Sequence, residues 1–246
     1  MTTVATIEAR MTSSRLPGKM NLPLGGKTVL SVLIERLQQV PELDQIVLAT
    51  TRNPADDALA EVASRRGVAA FRGDEEDVLG RVRGALDLVA AEVCVEITGD
   101  CPLIDPAIVS AMIKEFRSTR GQNAYVANTT GPTLGVPPGL DVQVFEADAL
   151  RNIADQVKDP DAREHVSLPF YRADGSARWR PRFVDFFPDE LCRSVWLSLD
   201  YPEDYELISA VYDELAPRDP AFSAQAMIDA CLARPEATRA CLRLRG

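Results

Sequence analysis

Apolar residues along this chain alternate between two rhythms. Val4 to Ile7 form a short continuous run, the pattern of a strand buried on both faces, and Leu30, Leu33, Ile34 and Leu37 then recur at the helical period. Ile46 to Thr50 return to a strand-like run. A helix marked by Leu59, Val62 and Ala63 follows, then a strand over Val68 to Phe71, a helix carrying Val78, Val82, Leu86 and Val89, and a strand over Val93 to Ile97. Asp105 and Pro106 supply an N-cap and a first helical position to a helix with Ile108, Val109, Met112, Ile113 and Phe116 on one side. Strands and helices taking turns predict an α/β fold with a mostly parallel central sheet between helices.

The rhythm loosens after Arg117. Residues 117 to 140 are rich in Gly, Pro, Thr and Asn, and Gly131-Pro132 and Pro137-Pro138-Gly139 are strong breakers around a strand expected over Ala124 to Ala127. Long loops of this kind are usually functional. Further on, strands are expected over Asp141 to Phe145, Phe183 to Phe187 and Val195 to Leu199. Helices are expected over Ala147 to Gln156 and from Pro202, the latter with Leu207, Ile208, Val211 and Tyr212 as its apolar stripe. With no internal repeat, low-complexity tract or linker, residues 1 to 246 read as one domain.

Composition narrows the functional classes. A chain of 246 residues that is 46% hydrophobic can bury a full core. It contains no run near the roughly 18 to 20 apolar residues of a membrane span, and its N-terminus leads directly into a strand, so the cytoplasm is the expected location. The formal charge is -10, with 27 Lys and Arg against 37 Asp and Glu, and the cations are local or mixed with acids. A nucleic-acid binder needs an extended basic face; a small, highly charged ligand suits this pattern better. The five cysteines are scattered and odd in number, without a Cys-x-x-Cys pair, so neither a disulfide framework nor a zinc site is indicated. Cys101 is expected to be a small buried thiol, since the single histidine, His165, is its sole candidate base.

Against that acidic background, Arg10, Arg15 and Lys19 gather in one short loop after the first strand, with small residues and a Pro-Gly break. Two readings are open: a solvated basic loop, or a cradle whose backbone N–H groups and cations hold a polyphosphate. The strand ends supply a second feature. Asp100 follows Val93 to Ile97, and Asp200 follows Val195 to Leu199. Each carboxylate either caps a turn before a proline-led helix or joins the other as a magnesium ligand, completed by phosphate and water oxygens.

Taken in order, Ala9 to Lys19, Leu24-Gly25-Gly26-Lys27, Ala49-Thr50-Thr51, Phe71-Arg72-Gly73, Thr98 to Asp105, Arg163-Glu164-His165 and Leu199 to Asp204 resemble the SpsF-type branch of the cytidylyltransferase family. That family also includes the enzymes that make CMP-activated sialic, Kdo and related sugar acids. The resemblance implies a Rossmann-like three-layer nucleotidyltransferase fold with a small accessory hairpin region. It also implies attack of a sugar or sugar-acid oxygen on CTP with release of pyrophosphate, Mg2+ as cofactor, and a homodimer that uses residues 140 to 190. Arg10 and Lys19 match the family's triphosphate-binding cations, with Arg15 as a third, and Asp100 and Asp200 match its metal pair. Glu8 and Ala9 fall near the nucleotide, Arg72 faces nucleotide or sugar unless it pairs with Asp74 or Glu75, and Leu140 and Asp141 fall in the segment lining the sugar pocket. Glu164 and His165 match a motif of this branch whose role the sequence does not explain.

One departure concerns the base. By the resemblance, relatives commonly carry Gln where this chain has Glu8, and an ionised carboxylate accepts hydrogen bonds but donates none. It could accept from cytosine or from guanine, so a guanylyltransferase or another nucleotidyltransferase acting on a sugar 1-phosphate stays open. A glycosyltransferase of related fold would use an Asp-x-Asp motif, and Asp159-Pro160-Asp161 has that spelling in a turn where capping is the plainer role. A nucleotide-sensing module without activity would have lost a phosphate cation or a metal carboxylate, and none is missing.

Overall fold

In the computed structural model, which describes residues 1–172 and 178–245, the chain alternates as its periodicity predicts. The first half runs β1 (Thr3–Glu8), β2 (Pro23–Leu24), β3 (Lys27–Thr28), α1 (Val29–Leu37), β4 (Gln45–Thr51), α2 (Asp57–Arg65), β5 (Ala69–Gly73), α3 (Val78–Leu88), β6 (Val93–Thr98) and α4 (Pro106–Ser118). The second half contributes β7 (Tyr125–Ala127), β8 (Gln143–Glu146), α5 (Ala147–Gln156), α6 (Pro160–Glu164), α7 (Leu168–Tyr171) and β9 (Arg182–Phe183). It closes with α8 (Asp189–Arg193), α9 (Pro202–Leu215), α10 (Ala224–Leu232) and α11 (Pro235–Arg243).

One sheet has the strand order β5-β4-β1-β6-β8-β7-β9. Its first four strands are parallel, and β8 is antiparallel to both β6 and β7. Two apolar layers cover it. Ala5, Ile7, Val95 and Ile97 face the layer of α1, α2 and α4, while Val4, Val47 and Cys94 face Leu79, Val82 and Leu86 of α3. Neighbouring residues on a strand point to opposite faces, so β1 and β6 need apolar residues on both sides. That explains their unbroken hydrophobic runs.

The chain leaves β1 to build β4 and β5 on one side, then returns through α3 to place β6 on the other. The carboxyl ends of β1 and β6 therefore flank a topological switch point, where connections diverge and leave a crevice. The accessory antiparallel pair is β2 with β3. Residues 140–190 instead supply β8, the helices α5 to α7 and β9 to the main body, among the described residues.

Several expected boundaries move. The segment expected over Val68 to Phe71 pairs as Ala69–Gly73, Asp141 precedes β8, and of Phe183 to Phe187 only Phe183 joins the ladder. Residues 195–199 are extended but form no ladder strand; Leu197 and Leu199 donate their backbone N–H groups to the loop carbonyls of Pro138 and Asp100, both at 2.8 Å. Periodicity reports burial on alternate sides, which a lone extended segment between loops shares with a true strand. Helices α10 and α11 had no counterpart in the sequence reading.

Arg36 ties this C-terminal region to the core. It is 2% exposed and donates to the carbonyls of Ile104 (2.7 Å), Pro220 (3.0 Å) and Phe222 (2.8 Å), with its guanidinium 4.0 Å from the Phe222 ring centroid. Burial lowers its pKa to about 10, still charged at neutral pH. Arg36→Met should orphan these carbonyls and cost about 3 kcal/mol or more. Urea denaturation checks this, and a loss below roughly 0.5 kcal/mol, the size of an ordinary surface change, would show that the tie is unimportant.

Candidate active site

The loop after β1 enters the crevice at the switch point. Asp56, fully buried, fixes its entry by accepting from the Met11 backbone N–H (2.8 Å) while the Thr50 and Thr51 hydroxyls also donate to it. At the far end, Gly18 has φ +73° and its N–H reaches back to the Met11 carbonyl at 2.9 Å, closing the loop. Positive φ is cheap only for glycine. On the opposite wall, a Cβ on Gly99 would stand 2.7 Å from the Glu8 carbonyl, so this position must be glycine for the β1 and β6 loops to approach.

Between these walls lies a cavity of about 400 Å³. Arg10, Arg15 and Lys19 line it, together with Asp100 and Asp200 and the small residues Ser13 and Ser14. Arg15 Nη2 lies 2.7 Å from Asp200 Oδ1, and Lys19 Nζ lies 3.1 Å from the same oxygen and 2.7 Å from the Leu199 carbonyl. Arg10 is held more loosely, 3.6 Å from Glu75. The Asp100 carboxylate is oriented by the Thr98 hydroxyl on Oδ1 and by the Ser198 hydroxyl, 3.1 Å from Oδ2. The hydrogen bond from Leu199 N–H to the Asp100 carbonyl joins the two segments that carry these aspartates.

Two hard carboxylates on one cavity wall, with room for phosphate oxygens beside them, fit the modest protein ligand set of a magnesium ion. Arg15 and Lys19 both bond to Asp200 Oδ1. Neither aspartate caps a helix. The N-cap of α4 is Asp105, which accepts from Ala107 N–H at 2.7 Å, and that of α9 is Tyr201, whose N–H donates to Asp204 in the first turn at 2.9 Å.

A second group of charges lies under the other end of the cavity. Glu8 and Glu96 share the α3-facing side of neighbouring strands, through the register Thr6 to Glu96 and Glu8 to Thr98. Glu96 is 4% exposed, and Glu8 Oε1, Glu96 Oε2 and Arg81 Nε are all buried without a hydrogen-bond partner. Arg81, from α3, spends Nη1 on the carbonyls of Asp74 (2.6 Å) and Glu75 (2.7 Å). Burial pushes the Glu96 carboxyl up to about 8, and burial followed by repulsion from Glu96 holds Glu8 well above the usual carboxylate range. Burial therefore favours the protonated form of both carboxyls, and a protonated carboxyl both donates and accepts. In that form Glu8 has the donor that the ionised form lacks.

The remaining sequence candidates divide. Ala9, Glu164 and His165 line the cavity. The Arg-Glu-His motif then gains a physical account: Arg163 anchors the segment on Asp77, the N-cap of α3, and on the Ala154 carbonyl at 2.9 Å, which leaves Glu164 and His165 on the cavity wall. Arg72 does not reach the cavity and does not pair with Asp74 or Glu75. Its guanidinium holds Asp57 (2.6 Å) and the carbonyls of Thr51 and Asn53 (both 2.8 Å), which pull it towards the β4–α2 connection. Leu140 and Asp141 also lie outside the lining. Leu140 is fully buried, and Asp141 accepts from Gly139 N–H at 2.9 Å, its carboxyl raised by burial, behind Cys101. Asp159 caps α6 and pairs with Arg172, away from the site, so its Asp-x-Asp spelling is a turn. Burial pushes the Cys101 thiol up as well, which keeps it inert.

Sequence reasoning missed Arg81, Glu96, Asp56 and Ser198. For Glu96 a signal existed: a charge in the middle of an apolar run that must lie in the sheet interior.

Comparison with known proteins identifies the family. The family model for cytidylyltransferase matches residues 4–214, and the chain belongs to that family. It is 32% identical over 236 residues to the spore coat polysaccharide biosynthesis protein SpsF of Bacillus subtilis, covering 94% of each chain. It is 25% identical to 3-deoxy-manno-octulosonate cytidylyltransferase 2 of Hydrogenovibrio crunogenus, covering 76% of this chain and 78% of that one. Among solved structures, a cytidylyltransferase from Leptospira borgpetersenii superposes with a TM-score of 0.88 at 29% identity, covering 97% of both chains.

The buried carboxyls predict a pH dependence. Between the unfolded value of 4.5 and the folded value of about 8, folded Glu96 keeps a proton that the unfolded chain has released. Stability from this source is therefore greatest below 4.5 and is lost as pH rises towards 8. Glu96→Gln, which fixes the neutral form, should flatten the fall in Tm between pH 5 and 8 by at least about 3 °C. Parallel Tm curves for the two proteins would show that Glu96 is ionised in the fold.

Proposed function

We propose that this cytidylyltransferase activates a sugar acid with CTP, the acceptor oxygen attacking the α-phosphorus in line as the α–β bridging bond breaks and pyrophosphate leaves. The observation that carries this reading is the meeting of Arg15 and Lys19 on Asp200, beside Asp100, in a cavity at the sheet's switch point. The kind of acceptor is supported by the 3-deoxy-manno-octulosonate cytidylyltransferase relative, and polysaccharide synthesis by the SpsF relative. A nucleoside triphosphate substrate suits a cytoplasmic enzyme; no helix among the described residues is long and apolar enough to cross a membrane.

The residues divide the work by charge. Ser13 and Ser14 lie on the loop that bears the cations, and Arg10, Arg15 and Lys19 balance the negative charge that builds on departing pyrophosphate. Phosphate oxygens compete with Asp200 Oδ1 for Arg15 and Lys19, so triphosphate entry draws the cations off the carboxylate and frees it. Asp100 and Asp200 are the residues that would hold magnesium; when bound there, the ion supplies charge neutralisation at the α-phosphate and the incoming oxygen. Glu8, which burial shifts towards its protonated form, offers in that form a donor and an acceptor to the uncharged part of the ligand. Phosphoryl transfer needs positioning and charge stabilisation above all, so a nucleophilic side chain is unnecessary.

CTP with magnesium should raise Tm more than ATP, GTP or UTP at equal concentration, because selective binding to the folded state stabilises it. A larger shift with GTP would make the enzyme a guanylyltransferase.

The two cations should separate in their effects. Arg15, whose side chain is 52% exposed, should lose roughly 10²-fold in turnover on mutation to Ala with little change in Tm. Lys19, whose side chain is 13% exposed and pinned to the Leu199 carbonyl, should lose activity and stability together on the same change. Pyrophosphate release and thermal melts measure both, and wild-type turnover in Arg15→Ala would remove this loop from the mechanism.

Asp100→Asn and Asp200→Asn should each abolish most activity, with effects far from additive because both disable one unit. Activity within a few-fold of wild type at saturating magnesium in either variant would sink the metal assignment.

A further inference from the structure

Asp200 stands on a segment that is itself held from the far end of the chain. Asp204, on the first turn of α9 and fully buried, accepts through Oδ2 from the backbone N–H groups of Asp200 and Tyr201, both at 2.9 Å. Buried and charged, it requires a cation. That cation is Arg245, beyond α11, which meets Asp204 with two nitrogens, Nη1 to Oδ1 at 2.8 Å and Nη2 to Oδ2 at 2.5 Å.

Arg245 is fixed in turn. Nη1 also donates to the Cys241 carbonyl at 2.6 Å, and its guanidinium lies 4.2 Å from the Trp196 ring centroid and 5.1 Å from that of Tyr201. The Tyr201 ring has a second cation, Arg15, at 5.5 Å. A connected path therefore runs from Arg245 through Asp204 to the backbone of Asp200 and Tyr201, and from their side chains to Arg15 and Lys19.

We propose that Arg245 is a positioning residue of the active site: by neutralising Asp204 and fixing its carboxylate, it sets where Asp200 and Tyr201 hold the cations of the phosphate loop. Residue 245 lies outside residues 4–214, the span matched by the family model. The alternative is an ordinary structural clamp. A bidentate pair to a buried carboxylate is costly to break from one side, because the remaining charge is left without a partner. A clamp alone would lower stability and leave the phosphate loop unchanged. The difference lies in the two hydrogen bonds to the Asp200 and Tyr201 N–H groups, which couple the clamp to the cavity wall.

The proposal rests on the reading of the cavity as a phosphate site, and its test uses inorganic pyrophosphate, which needs no nucleobase, alongside CTP. In the full-length, 15N-labelled protein, Arg245→Gln should shift the amide resonances of Asp200 and Tyr201 and weaken pyrophosphate binding about tenfold, as loss of a supporting partner behind a ligand usually does. Arg245→Lys, which keeps the charge but not the paired geometry, should restore part of both, and it also serves as the test protein if the Gln variant does not fold. Unshifted Asp200 and Tyr201 amides, or unchanged pyrophosphate affinity with a lowered Tm, would overturn the proposal and leave Arg245 a structural clamp. Wild type that binds pyrophosphate but not CTP would overturn the nucleotide assignment instead, and pyrophosphate affinity would still decide the role of Arg245.

Discussion

Two cations of one short loop are anchored on a single carboxylate that lies 185 residues from Arg15 and 181 from Lys19 along the chain, and the pocket depends on that contact. Arg15 and Lys19 repel each other, and Asp200 between them offsets that repulsion. With it, the loop after β1 and the segment before α9 are drawn together across the crevice, and the positive charge is already in place when an anionic ligand arrives. At partial burial such a contact is worth more than its surface equivalent. It remains exchangeable, because phosphate oxygens can take the place of the carboxylate oxygen on both cations.

The opposite end of the cavity follows a different principle. Glu8, Glu96 and Arg81 carry buried polar atoms without hydrogen-bond partners on the inner face of a sheet, a costly arrangement for a fold to retain. Polar groups kept at such expense are found more often at functional sites than elsewhere. Here their effect is chemical: burial shifts both carboxyls towards the protonated form, which can donate as well as accept hydrogen bonds. The cavity thus has a cationic end suited to phosphates and another end where Glu8 lies beside Arg81.

The sequence by itself determined the layers. Apolar runs without alternation required strands covered on both faces, the helical stripes supplied the covers, and the alternation of the two left few arrangements besides a mostly parallel sheet. It also marked Arg10, Arg15, Lys19 and Asp100, because charges just past strand ends in such a sheet converge on one edge; Asp200 lines the same cavity although residues 195–199 before it form no strand. Local signals do not contain partners, and there the tertiary structure decided. Arg72 is taken by Asp57 and two carbonyls, Asp141 is turned to Gly139, and residues 195–199 find loop carbonyls in place of a strand. Glu96 and Arg81 meet Glu8 only because strand register and the return of α3 bring them to the same face, and Arg245 reaches Asp204 only because α11 packs beside α9. Periodicity specifies which side of an element is buried; which groups meet across that burial depends on distances fixed only when the whole chain has closed.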